Sequence, residues 1–127
     1  MDKALGLLGI AKKAGFLAIG GEAAAISARH GKARLIISAC DASERSVRRA
    51  KENSAMQNIK YLPVPYTKFE LGSITGRGSP GVIAILDKGL AKGFTDKLTE
   101  AGRTLNLTAQ AKTKAETKSE IKEGDAL

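Results

Sequence analysis

Two apolar runs constrain this chain more than any other feature: Leu35, Ile36 and Ile37, and residues 82–86 (VIAIL), each bounded by turn residues. A strand with one wet face alternates apolar and polar side chains. A strand covered on both faces reads as a continuous apolar run. Both runs are of the second kind, so the chain needs helices on each side of a sheet. The intervening segments supply them. Asp2 can cap a first helix that carries Leu5 and Leu8 at helical spacing, with Lys12 and Lys13 in its last turn and Gly15 ending it. Residues 16–19 (FLAI) read as a short strand and Gly20-Gly21 as a turn. Glu22 then begins a second helix that stops at Arg29, His30 and Gly31.

After the first long run comes Asp41-Ala42-Ser43-Glu44. It reads as a capping box with Asp41 as N-cap, opening a helix to about Met56 with Arg45, Arg48 and Arg49 on its outer face. Residues 61–64 read as a third strand, confined to an edge by Pro63 and Pro65. Thr67 can cap a short helix through Leu71, ended by Gly72, and residues 76–80 (GRGSP) form a loop. Asp87 starts a last helix carrying Leu90, Phe94 and Leu98. Helices thus alternate with strands, and the expected architecture is a three-layer α/β/α sandwich around a mixed four-stranded sheet.

The chain has 127 residues, which fits one core. The domain is expected over residues 1–98. Residues 99–127 form a charged, low-complexity tail too poor in apolar residues to offset its chain entropy, and are expected to be disordered. Formal net charge is +8. The tail carries five basic and five acidic residues, so the whole excess falls on the folded part. A basic folded domain favours polyanionic partners, nucleic acid first. The single cysteine and the lack of zinc-ligand spacing suit a reducing cytoplasm. No apolar run approaches the roughly 20 residues that a membrane span needs. Asp2, Gly6 and Gly9 do not fit a secretory signal.

Catalysis finds little support. The one histidine, His30, sits at a helix end where cations interact with the last carbonyls. Cys40 closes a strand and would need an activating base. The helix ending at His30 runs antiparallel to that strand, which puts the two residues at opposite ends of the sheet. Gly72, Gly76, Gly78 and Gly81 do not spell a phosphate loop, because a strand rather than a helix follows them. No metal and no cofactor are expected.

The same topology points to a binding edge. The N-terminus of the second helix (Gly20, Gly21, Glu22) lies at the same end as the turn Ala39, Cys40, Asp41. Glycines permit close backbone approach, and helix N–H groups can meet phosphate oxygens. A carboxylate such as Glu22 can accept from the N1–H and N2–H edge of an exposed guanine.

These stretches, with LLGIAKKAG (7–15), IGGE (19–22), HGKARLIISACDAS (30–43) and LGSITGRGSPGVIAIL (71–86), resemble the kink-turn-binding ribosomal protein superfamily typified by archaeal L-seven-Ae and eukaryotic L-thirty-e. The likeness is greatest to its small bacterial YlxQ-like members and spans nearly all of residues 4–98. The resemblance implies an α/β/α fold and non-enzymatic binding of structured RNA, ribosomal RNA or a kink-turn, in the cytoplasm and in association with the ribosome. It also implies that Gly20, Gly21 and Glu22 read sheared G·A guanines. Ala39, Cys40 and Asp41, with Gly76, Arg77, Gly78, Ser79 and Pro80, would clasp a flipped-out nucleotide. Three positions depart from the kink-turn pattern. Gly20-Gly21-Glu22-Ala23 replaces Gly-x-Asn-Glu, Ile26 stands where a lysine is frequent, and Arg77, Gly78 and Ser79 replace apolar loop residues. Arg77 can contact phosphate or stack on a base, but it does not replace an apolar shelf in kind. The alternative is a protein-interaction module that uses Arg45, Arg48 and Arg49 on the same scaffold.

Overall fold

A computed structural model describes residues 2–109, with side chains to residue 100. In chain order the elements are α1 (Lys3–Lys13), β1 (Leu17–Ile19), α2 (Gly21–Arg29), β2 (Leu35–Ser38), α3 (Glu44–Met56), β3 (Lys60–Pro63), α4 (Lys68–Thr75), β4 (Val82–Ile85) and α5 (Lys88–Ala109). The strands lie in the order β1-β4-β2-β3. β4 is antiparallel to both of its neighbours, while β2 and β3 run parallel. The two apolar runs are the central pair, β2 and β4, and every residue in both is buried. This is the mixed four-stranded α/β fold that the continuous apolar runs require. Pro63 sits in β3, at the sheet edge, where its missing N–H costs no ladder bond.

The register divides the core in two. Leu35 faces Ile85 and Ile37 faces Ile83, while Ile36 faces Ala84 and Ser38 faces Val82. Successive residues point to opposite sides of a strand. Ile36, Val82 and Ala84 pack with Ala24 and Ala28 of α2 and Ala50 of α3. Small residues there let α2 and α3 lie close to the sheet and to each other. The opposite side is filled by larger groups, including Leu8, Leu71 and Phe94 of α1, α4 and α5, all fully buried. Each such side chain contributes about 1.5–3 kcal/mol by leaving water.

Local signals hold at most helix ends. Asp2 accepts from the amides of Ala4 and Leu5. Thr67 and Glu70 form a capping box on α4. Four details differ from the sequence reading. Asp41 is not the cap of α3: Ser43 is, its Oγ accepting from the Ser46 amide at 3.1 Å. The competing attraction is Asp41 Oδ1 accepting from the Lys68 amide at 2.8 Å, a contact no local pattern signals. Gly72 does not end α4, which continues to Thr75 and is closed by left-handed Gly76. Gly72 is instead the point where the following loop crosses the helix. A Cβ at this position would overlap the Gly78 carbonyl oxygen. The outer strands begin or end within a residue of the expected limits. Finally, α5 runs to Ala109, so residues 99–109 are helical. Apolar spacing marks which residues of a helix pack, not how far the helix extends. Residues 110–127 of the expected tail lie outside the described part. Within the described residues a boundary between two units falls between Thr95 and Asp96. All that follows concerns the first.

Candidate nucleic-acid interface

β1, β2 and β3 all point their C-terminal ends to one rim of the sheet, and β4 starts there. Three helices, α2, α3 and α4, begin just beyond those ends. Backbone hydrogen bonds stitch the connecting loops together. Gly20 donates to the Val82 carbonyl at 2.8 Å, Ala39 to Gly81 at 2.8 Å, and Cys40 to Tyr66 at 2.9 Å. The Asp41–Lys68 bond ties the β2–α3 turn to the start of α4, and the loop at Gly78 lies against α4 at Gly72. The three segments singled out from the sequence (Gly20 to Glu22, Ala39 to Asp41, Gly76 to Pro80) are thereby held at one rim.

Their exposures differ. Gly21, Glu22, Cys40, Asp41, Gly76, Arg77, Gly78 and Ser79 are exposed; Gly20 and Pro80 are half-buried; Ala39 is buried. Ala39 is therefore placed to shape the turn from within. Gly20 opens α2 with a φ of 104°, a conformation that residues bearing a Cβ avoid. Its own side gives no cap, so the first amides of α2 remain unclaimed by a side-chain cap.

Two sets of residues that looked separate in the sequence meet here. Arg49 Nη2 of α3 lies 3.9 Å from Glu22 Oε1 of α2. Both side chains are more than half exposed, so the pair is worth about 0–1 kcal/mol and yields readily to another partner. Arg45 and Arg49 line a narrow cleft of about 70 Å³ between α2 and α3, together with Gly21 and Ser46. These arginines turn toward α2 and do not form a face separate from the glycine rim. The spacing Arg45–Arg49, one helical turn, was legible. That α2 lies beside it was not.

Beneath the rim sits Tyr66, 6% exposed, its hydroxyl without a hydrogen bond of standard geometry. Burial pushes its phenol well above the ordinary range, and the charges of Asp2 and Glu70 add to the effect. Cys40, at this rim, and His30, at the far end of α2, do not meet. Among the described residues no group of three or more His, Cys, Asp or Glu gathers to hold a metal ion. No described helix is long and apolar enough to cross a membrane.

Comparison with known proteins bears on the fold and the family. No protein-family model matches the chain. It is 31% identical over 91 residues to the RNA-binding protein YlxQ of Enterococcus faecium, spanning 72% of this chain and 86% of that one. A protein of unknown function from Bacillus halodurans C superposes with a TM-score of 0.72 at 24% identity, over 78% of this chain and 99% of the other. The Giardia lamblia 15.5kD RNA binding protein gives a TM-score of 0.60 at 18% identity, over 78% and 84%. Those two share the fold. The sequence identity to the first, sustained over most of both chains, goes further: this chain belongs to the YlxQ family.

Proposed function

We propose that this protein binds structured RNA, ribosomal or kink-turn-like, without catalysing a reaction, through the start of α2 and the two loops beside it. One observation carries the reading: α2, α3 and α4 all begin at the same rim, among exposed arginines and glycine-lined backbone. All three turn the positive ends of their dipoles to this rim, and α2, which has no side-chain cap, also leaves its first amides open to phosphate, while Ser43, Thr67 and Asp41 already claim amides at the starts of α3 and α4. Membership in a family whose Enterococcus faecium relative is named an RNA-binding protein supports the same partner.

Roles follow from placement. The Glu22 carboxylate offers acceptors to a guanine edge and gives up its weak Arg49 contact to do so. The freed Arg49, with Arg45 and Arg77, neutralises phosphate. Asp41 is committed to the Lys68 amide and acts by holding the turn in shape.

Ultraviolet crosslinking in cells, followed by sequencing of the attached RNA, tests the reading directly, and recovery of ribosomal RNA is the expected result. In solution, affinity for the recovered RNA falls steeply as salt rises, because phosphate neutralisation releases counterions. Affinity unchanged between low and high salt would overturn the mechanism. Glu22→Gln relaxes discrimination among RNAs more than it lowers affinity. A uniform loss of affinity instead would show that Glu22 does not read bases.

A further inference from the structure

The loop of residues 76–80 lacks the apolar shelf against which an unstacked base would rest, since Arg77, Gly78 and Ser79 occupy it. An aromatic ring is carried by α4, the helix that this loop crosses at Gly72. Phe69, in the first turn of α4, is 75% exposed, although it is one of only three phenylalanines in the chain. The other two are the fully buried Phe94 and the less exposed Phe16, at 40%. A solvent-facing phenyl ring gains nothing for the fold by being there, because apolar area left in water contributes no burial energy.

Its surroundings define what it can bind. The Lys68 amide, one residue before it, bonds to Asp41 at 2.8 Å, so the first turn of α4 abuts the β2–α3 turn. Gly72, three residues after it and therefore on a neighbouring line of the helix surface, lies under the Gly78 carbonyl. A helical side chain leans toward the N-terminus of its helix, so Phe69 leans toward the rim. Phe69 thus sits on α4 between the residue bonded to the β2–α3 turn and the residue that the loop of Arg77 and Gly78 crosses, with Lys68 next to it in sequence.

We propose that Phe69 is a stacking platform for one unpaired nucleobase of the bound RNA, supplying from α4 the shelf that the loop does not provide. The proposal rests on the RNA-binding reading and adds a residue and a recognition mode to it. The flanking cations favour a nucleotide, whose base stacks while its phosphates pair, over an apolar protein segment, which would leave Lys68 and Arg77 unmatched. Base–aromatic stacking is worth about 1–3 kcal/mol per base on alanine substitution, or about 5- to 150-fold in affinity.

The full-length chain is irradiated with total ribosomal RNA, digested with trypsin and analysed by mass spectrometry. The tryptic peptide from Phe69 to Arg77 (FELGSITGR) should carry a nucleotide adduct on Phe69. In filter binding to the same RNA, Phe69→Ala should lose about tenfold in affinity within the stacking range. Its salt slope should stay that of wild type, because no phosphate contact is lost. Phe69→Tyr should restore binding, and circular dichroism should report an unchanged fold for both variants. Adducts elsewhere on the rim but not on Phe69, or wild-type affinity in Phe69→Ala, would overturn this proposal and leave RNA binding standing. Wild-type affinity accompanied by loss of self-association would make Phe69 a contact between copies of the chain. Absence of RNA binding by the wild-type protein would overturn the underlying reading as well.

Discussion

Arg45, Arg49, Lys68 and Arg77 gather at one end of the sheet; Arg29, Lys32, Arg34 and Lys60 gather at the other. The far end even has the larger hollow, an open cleft of about 330 Å³ lined by Gly31, Arg34, Asn58 and Lys60, against about 70 Å³ at the glycine rim. Charge and space therefore do not tell the two ends apart. The backbone does. α2 and α3 finish at the far end, at His30 and Gln57, and so present carbonyl oxygens and the negative ends of their dipoles. Those same helices, with α4, start at the glycine rim and turn the positive ends of their dipoles there, and the start of α2 has no side-chain cap. Among the described helices α5 alone begins at the far end, and like α3 and α4 its start is capped, Asp87 Oδ2 accepting from the Leu90 amide at 2.9 Å. A phosphate is welcomed by cations at either end, but by converging helix dipoles and an uncapped helix start at only one. The lesson is that the direction in which helices run sets where a basic domain can hold a polyanion.

Perturbing one end and sparing the other tests this contrast. The largest effect is expected from Gly72→Ala. The new Cβ meets the Gly78 carbonyl, which belongs to backbone and cannot simply swing away. We expect a loss of about 3 kcal/mol in urea unfolding together with weakened RNA binding. At the far end, left-handed Asn58 accepts glycine readily, and Asn58→Gly should stay within about 0.5 kcal/mol of wild type. Equal stability of all three proteins would mean that α4 does not clamp the loop.

Binding gives the next contrast. Arg77→Ala should reduce affinity and flatten the salt slope by about 1, as expected for one lost phosphate contact. Arg34→Ala, at a residue also exposed but at the opposite end, should do neither. Matching losses would show that net charge governs binding and that helix direction does not.

Asp41→Ala should cost about 1 kcal/mol through the lost bond to Lys68. Hydrogen exchange should speed up in the first turn of α4 and remain unchanged in α3, whose cap is Ser43. Faster exchange in α3 alone would return Asp41 to the capping role that its local sequence suggests.

The smallest effect at neutral pH is that of Tyr66→Phe, which removes a buried hydroxyl lacking a well-formed hydrogen bond and should leave stability within about 1 kcal/mol of wild type. Its signature lies at high pH. The folded phenol has a raised pKa, so folding favours the protonated form. That contribution is complete below the ordinary phenol value of about 10 and is lost as pH climbs from there toward the folded value. Urea unfolding of wild type should therefore weaken above about pH 10, and the phenylalanine variant should weaken less.

Much of the rim was legible before any coordinates. Gly20, Gly21 and Glu22 announced a helix start, residues 35–37 a buried strand, and alternation of the two placed that helix start beside the turn at Ala39 to Asp41. Asp41 itself was misread, because a capping pattern is a statement about neighbours in sequence, and its carboxylate is claimed by an amide 27 residues away. Gly72 was misread for a related reason. A glycine looks like a stop to a local rule, while here it is a gap cut for a crossing strand of loop. Phe69 gave no signal at all, since one phenylalanine on a short helix reads as core.

The sequence alone determined the elements, the two-sided burial of β2 and β4, and the excess of positive charge on the folded part. All of these are written in short-range periodicity, capping residues and composition, which act between near neighbours. Only the tertiary structure decided that Glu22 faces Arg49, that Asp41 holds α4, and that the loop of Arg77 crosses α4 at Gly72, three residues from Phe69. Each of those pairings joins residues on different elements, and the strand order that brings them together is fixed by packing of the whole core.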